Sequence, residues 1–246
     1  MSSNSAVRVA LVTGGSGGIG RAVVERLAAD GFAVAVHYAG NAARADETVR
    51  QITESGGQAI AVGGDVADEQ AMTAAFDAAE AAFGGIDVVV NTAGIMVLSP
   101  IATLALADLD RMYRTNVRGT FVVCRLAANR LRPGGAIINF STSVTRTQFP
   151  SYGAYVASKA AVEGITLILA RELRGRDITV NTVAPGPTAT PLFLEGKSQE
   201  LIDQIASMNP MGRLGAPEDI AQTVAFLAGP ARWVNGQVLF ANGGMA

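Results

Sequence analysis

The sequence predicts an α/β fold: one doubly wound domain on a seven-stranded, mostly parallel sheet with helices on both faces. Three observations carry this. Apolar, β-branched runs alternate with Ala-rich helical stretches along the whole 246-residue chain, and such alternation implies right-handed crossovers between parallel strands. The composition is 49% hydrophobic but only 6% aromatic, a balance that suits a buried parallel sheet under close-packed helices. No linker or low-complexity segment interrupts the pattern, so residues 1–246 read as a single domain.

The elements follow in order. "VRVALVTG" is the first strand, and a helix runs from about Ile19 to Asp30. "FAVAVHY" is the second strand, with a helix over "ARADETVRQITES". "QAIAVGGDV" is the third, followed by the helix "EQAMTAAFDAAEAAFG". "IDVVVNTAG" is the fourth, followed by one long helix from about Leu106 to Leu131. "GAIINFS" is the fifth, and the next helix carries Tyr155 and Lys159. "ITVNTVAPG" and "GQVLFANGG" are the sixth and seventh strands. Between them lies a Gly- and Pro-rich stretch read as a lid over about residues 187–215, with one or two short helices. Insertions at the carboxyl ends of such sheets shape ligand sites. In "RLGAPEDIAQ", Pro217, Glu218 and Asp219 mark a helix start.

Charge and composition exclude several classes. The net charge is -2 with no basic block, so neither nucleic acid nor an anionic membrane is an expected partner. The N-terminus lacks a basic segment followed by an apolar one, and no apolar run is long enough to span a bilayer. Cys124 is the only cysteine. It reads as a small buried helix residue, and a cytoplasmic, reducing setting is expected. His37 is the only histidine, which makes a Ser-His-Asp triad or a His-based metal site hard to build. It is expected to line the edge of a ligand site or to cap its strand.

Two motifs carry chemistry. In "TGGSGGIG", Gly14, Gly18 and Gly20 sit between the first strand and the first helix, with Ser16 and Ile19 in the same turn. Glycine lets the backbone approach a pyrophosphate, and the helix N-terminus supplies N–H donors. Further on, Tyr155 and Lys159 lie four apart in "AYVASKAA", on one helix face. An ammonium beside a phenol stabilises the phenolate and lowers its pKa, which makes a proton donor or acceptor for ketone reduction or alcohol oxidation.

Taken together, these motifs resemble the short-chain dehydrogenase/reductase family over nearly the whole chain. The nearest likeness is to 3-oxoacyl-acyl-carrier-protein reductases and tetrahydroxynaphthalene-reductase-like members. "TGGSGGIG", "GGDV", "NTAG", "NVRG", "YVASK" and "PGPTAT" occur in the family's order. Thr92 replaces a second Asn in "NTAG". The resemblance implies a Rossmann-type fold. It implies catalytic roles for Asn116, Tyr155 and Lys159, with Asn116 holding a water that links Lys159 to solvent. Cofactor contacts are implied at the Gly-rich turn, at Asp65 and Val66 beside the adenine, at Asn91, Ala93 and Gly94, and at Pro185, Gly186, Thr188 and Thr190 beside the nicotinamide. Tyr155 and Lys159 would also touch the cofactor, Lys159 through the ribose. The family's serine stands thirteen before the tyrosine, which is Thr142 here. Its hydroxyl makes the same hydrogen bond, with Ser143 and Ser141 as alternatives.

The cofactor reading turns on the end of the second strand. An acid there would bond the ribose of NAD and repel a 2′-phosphate. The position is Tyr38, and Ala39, Asn41 and Arg44 follow without a carboxylate among them. NADP(H) is therefore the favoured cofactor and NAD(H) the alternative, although Gly17 stands where many NADP-dependent relatives carry a basic residue. The expected activity is hydride transfer between NADP(H) and a carbonyl or secondary alcohol, as a ketone reductase. The alternatives are an NAD-linked polyol or steroid dehydrogenase and a non-catalytic dinucleotide sensor. Leu192, Phe193, Leu194, Met208 and Met211 in the lid favour an apolar substrate body. Apolar residues on the helices around Phe121 and Leu169, paired as in the family, imply a homotetramer.

Overall fold

The computed structural model describes residues 7–246; residues 1–6, part of the stretch used above to exclude a leader, lie outside the described residues. In chain order the elements are β1 (Val9–Thr13), α1 (Gly18–Ala29), β2 (Ala33–Tyr38), α2 (Ala42–Glu54), β3 (Ala59–Gly63), α3 (Glu69–Phe83) and β4 (Ile86–Asn91). There follow α4 (Leu106–Met112), α5 (Gly119–Arg130), β5 (Leu131–Phe140), α6 (Val144–Thr147), α7 (Gly153–Glu172) and β6 (Thr179–Pro185). The chain closes with α8 (Pro191–Leu194), α9 (Gln199–Ser207), α10 (Pro217–Ala228) and β7 (Val238–Ala241).

The sheet order is β3-β2-β1-β4-β5-β6-β7. Every neighbouring pair is parallel, so the sheet is wholly rather than mostly parallel. After β1 the chain winds outward to β3, then crosses back to place β4 on the other side of β1. The order reverses between β1 and β4, whose carboxyl ends are level because Thr13 pairs with Asn91. A crevice opens outside strand ends at such a switch point, and it is where open α/β sheets take ligands.

Strand side chains alternate between two cores. Ala10, Val12, Val34, Val36, Val88 and Val90 face one side, with α1 and α10. Val9, Leu11, Val89, Ile137 and Val180 face the other, with α3, α5 and α7. Local signals set the helix ends. Asp68 caps α3 by accepting from Gln70 and Ala71 N–H groups at 2.9 and 3.0 Å, and α3 stops at Gly84, whose φ of 81° is left-handed. Pro217 opens α10, where Asp219 accepts from the Ala216 N–H at 2.8 Å.

Three expectations need correction. The long helix over 106–131 is interrupted by a π-helical turn at Tyr113–Arg118, a distortion frequent at functional sites. Leu131 belongs to β5, which starts before the predicted Gly135: Pro133 cannot continue a helix, and the strand resumes its pairing with β4 at Ala136 after an irregularity in which Gly134 takes a left-handed φ of 83°. His37 neither borders the ligand crevice nor caps β2. The alternation of Ala33, Ala35 and His37 turns it into the α3-side core, where neither ring nitrogen has a partner. Burial lowers its pKa to about 4, so it is neutral. Cys124 is buried as expected, and burial pushes its thiol up to about 11.

Candidate active site

The turn from β1 into α1 is built for close approach. Gly18 has a φ of 51°, and a Cβ on Gly20 would lie 2.2 Å from the Gly14 carbonyl oxygen. The N-terminus of α1 has no side-chain cap and no acid in its first turn. Its free N–H groups and positive dipole end therefore point into the crevice, which fits an anionic pyrophosphate. Across from it lies the loop after β6: a Cβ on Gly18 would be 3.5 Å from the Thr190 side chain.

At the end of β2 the Tyr38 ring lies against Gly63, whose Cβ would be 2.9 Å from the ring. Ala39 and Asn41 are exposed beyond it. Asn41 caps α2 by accepting from the Arg44 N–H at 3.0 Å, and α2 has no acid in its first turn. After β3, the Asp65 carboxylate accepts from the Ala67 N–H at 2.9 Å and pairs with Arg114 at 2.6 Å. The Ala67 bond, with Arg114 beside it, holds Asp65 below the usual carboxylate range. Val66 is buried against Gly119, its side chain 2.8 Å from where a Cβ would sit.

Asn91 and Ala93 face inward more than the sequence implied. The Asn91 side chain accepts from Thr13 Oγ1 at 2.8 Å and donates to Thr120 Oγ1 at 3.1 Å. The Ala93 N–H donates to Thr13 Oγ1 at 3.2 Å, and Thr92 donates to the Thr13 carbonyl. These bonds lock the ends of β1 and β4 together. Gly94 borders the cavity instead: a Cβ there would be 3.2 Å from Lys159 Nζ and 3.3 Å from Asn116 Oδ1.

The α7 helix brings Tyr155 and Lys159 to the cavity wall. Lys159 is buried and donates from Nζ to the Phe140 carbonyl at 2.9 Å; Nζ lies 5.9 Å from the Tyr155 ring centre. Desolvation lowers Lys159 to about 8. Tyr155 departs from expectation. Burial first, and Tyr152 second, raise its pKa above the ordinary phenol value, with no lowering by Lys159. The phenol is thus held protonated at neutral pH. Asn116 sits in the π turn. Its Oδ1 accepts from the Ile95 N–H at 2.9 Å, and its Nδ2 donates to the Ile95 carbonyl at 2.9 Å and to Ser158 Oγ at 3.0 Å. Both Nδ2 protons are therefore spent on protein partners, while Oδ1, with one donor of the two it can take, keeps a lone pair.

The three hydroxyls after β5 separate by what they donate to. Ser141 Oγ donates to Glu163 Oε1 at 2.5 Å, and Ser143 Oγ donates to the Ala184 carbonyl at 3.3 Å. Thr142 Oγ1 accepts from the Val144 N–H at 3.3 Å, and its own proton has no acceptor among the described residues. All three line the cavity. Glu163 was not singled out in the sequence. It also accepts from Thr145 Oγ1 at 3.0 Å, so it grips both flanks of Thr142. Its signal is spacing: Tyr155, Lys159 and Glu163 recur every four residues on one face of α7.

The cavity has a volume of about 450 Å³. Pro185, Gly186, Thr188 and Thr190 form one wall, with Ile19 at the α1 end. Leu192, Phe193 and Met208 line it from the lid as expected; Leu194 and Met211 do not.

The chain matches the family model described as "Enoyl-(Acyl carrier protein) reductase" over residues 14–246. It is 44% identical to a chloroplastic NADPH-dependent aldehyde reductase-like protein of Arabidopsis thaliana, over 96% of this chain and 93% of that one. It is 40% identical to the 3-oxoacyl-acyl-carrier-protein reductase FabG of Staphylococcus aureus, over 96% and 97%. A solved short chain dehydrogenase from Burkholderia cenocepacia J2315 in complex with NADP superposes with a TM-score of 0.91 at 40% identity, over 98% and 99% of the two chains.

The buried Lys159 makes stability depend on pH. Its pKa is about 8 folded against an ordinary 10.5. Between these values the unfolded chain holds a proton that the folded chain lacks, so stability rises with pH. Tyr155 acts in the opposite sense only above the ordinary phenol value of 10.0. From about pH 8 to 10 the melting temperature of the wild type should rise relative to Lys159→Met. A constant difference across that window would mean that Lys159 titrates normally.

Proposed function

The chain belongs to the short-chain dehydrogenase/reductase family, and we propose on that footing that it reduces the carbonyl group of a small, largely apolar substrate with NADPH. The observation that carries this reading is Tyr155, protonated and partly buried beside Lys159 at the wall of an apolar cavity that ends at the uncapped N-terminus of α1. The cofactor supplies the hydride when bound. The residues present suit it: α1 for the pyrophosphate, and an acid-free β2 end with Asn41 and exposed Arg44 for a 2′-phosphate. The relatives named for NADPH or bound to NADP support the same choice.

In this reading Thr142 donates its unspent proton in a hydrogen bond to the substrate oxygen. Tyr155 gives that oxygen its proton, and the charged Lys159 stabilises the phenolate that remains. Lys159 is cationic below about pH 8, so its charge is available when the proton leaves. Asn116 acts by fixing the Ile95 backbone and Ser158 beside Lys159. The likeness to FabG supports a 3-oxoacyl thioester as one substrate; a cyclic or aromatic ketone fits the same lining. The lone buried thiol suits a cytoplasmic setting.

The same reading includes a homotetramer. By length and composition α7 is apolar enough to cross a membrane, yet its inner face packs on the sheet. Its outer face exposes Leu167 and Ile168, and α5 exposes Phe121. Pairing these faces across a two-fold axis covers them. Trp233, wholly exposed, and Phe226 mark a second contact, and two different two-fold contacts close a D2 assembly.

Tyr155→Phe should bind NADPH as the wild type does and lose about 10²–10⁴ in kcat. Thr142→Val should lower kcat more than Ser141→Ala or Ser143→Ala. Wild-type turnover by Tyr155→Phe would sink the mechanism. NADPH should bind more tightly than NADH, and Tyr38→Asp should reverse the order by adding like charge at the phosphate; titration of both cofactors decides it. Light scattering should give about four times the 25.3 kDa monomer mass, and Ile168→Glu should yield smaller species. A 25.3 kDa particle in the wild type would remove the assembly.

A further inference from the structure

The cavity lining contains Lys159 and Lys197 but no carboxylate. Lys159 serves the reaction. Lys197, between α8 and α9, has no such duty. The lid contributes mainly apolar side chains beyond its threonines; Lys197 and Gln204 are its longer polar ones. Lys197 is half-buried and forms no ion pair among the described residues, although Glu195, Glu200 and Asp203 lie on the same segment. Its Nζ donates only to the carbonyl of Phe193 and sits 4.5 Å from the centre of the Phe193 ring. Burial lowers its pKa, and no acid offsets the effect. A partly desolvated cation with no counter-charge, held against the wall of an apolar cavity, is unfavourable until an anion reaches it.

We propose that Lys197 is the specificity residue of this site and that the substrate carries an anionic group, carboxylate or phosphate, at the far end of an apolar body from the carbonyl. This inference rests on the reductase reading above and names its substrate class. The carbonyl lies at Tyr155 and Thr142, the apolar body runs along Leu192, Phe193 and Met208, and the anion pairs with Lys197 at the lid. With one charge-assisted hydrogen bond gained there, the lid is held down by the substrate rather than by the protein alone.

The test compares each acid with its neutral counterpart on one enzyme. Succinic, adipic and azelaic semialdehydes are assayed with NADPH against their methyl esters. A 3-oxoacyl thioester of phosphopantetheine is assayed against the same thioester of pantetheine. In the wild type the acid-to-ester ratio of kcat/KM should reach about tenfold at one chain length, the size expected of one charge-assisted hydrogen bond. Lys197→Met should bring that ratio to about one, and Lys197→Arg should restore most of it, through KM rather than kcat. A preference within the thioester pair alone assigns the anion to phosphate; one within the semialdehydes alone assigns it to carboxylate. Ratios near one in every wild-type pair, with the esters still reduced, overturn the inference and leave the reductase reading standing. A preference that survives Lys197→Met overturns it as well. A protein that binds NADPH but reduces no member of any pair loses the reductase reading, and this inference with it.

Discussion

Lys159 is an ammonium taken out of water and given one protein acceptor, the carbonyl of Phe140 at the end of β5. From 10.5 to about 8, the displacement of its pKa amounts to roughly 3 kcal/mol against the charged form. The fold carries that cost because the bond fixes α7 to the sheet at the strand ends. Everything around the cavity is referred to this contact. It sets the depth of Tyr155, one turn earlier on the same helix. It sets the position of Gly94, where the chain passes too close to Nζ and to Asn116 for a side chain to fit easily. It also anchors the segment after β5, since Ser141 follows Phe140 directly.

One helix therefore does work that is spread over separate loops in many sites. The inner face of α7 carries the acid, the cation and Glu163 at four-residue intervals, and each grips a different part of the wall. Lys159 holds the end of β5, and Glu163 holds Ser141 and Thr145. The effect on Thr142 is indirect but specific. Ser141 is tied to Glu163 and Ser143 to the Ala184 carbonyl, so the protons of both flanking hydroxyls are spent and that of Thr142 is not. The π turn around Asn116 supports the same wall from the other side by binding Ile95 and Ser158.

Much of this was legible in the chain because it depends on periodicity. The seven strands, the helices between them and the Gly-rich turn follow from runs of apolar residues and from backbone chemistry, which act locally. The spacing of Tyr155 and Lys159 is local too. What the sequence misjudged depends on which way a side chain points and how deeply it lies. His37 looked like an edge residue because it ends an apolar run, but strand alternation puts it in the core with Ala33 and Ala35. Tyr155 was expected to have a lowered pKa from its neighbour's charge, whereas desolvation raises Tyr155 and lowers Lys159. The break in the helix at Tyr113–Arg118 falls on the weak helix formers Tyr113, Thr115, Asn116 and Val117, but low propensity does not by itself mark a π turn. Glu163 was overlooked because a glutamate on a helix is usually solvated, and only the position of Ser141 shows otherwise.

These differences change how the proton transfer is balanced. An ordinary phenol is already protonated at neutral pH, and desolvation moves Tyr155 further that way, while the cation beside it is near its own titration point. In the proposed reduction, a neutral donor next to a charge that stabilises its conjugate base is arranged for giving a proton away. The gain from Lys159 then appears as the phenolate forms rather than before it, which is where stabilisation raises the rate instead of merely tightening binding.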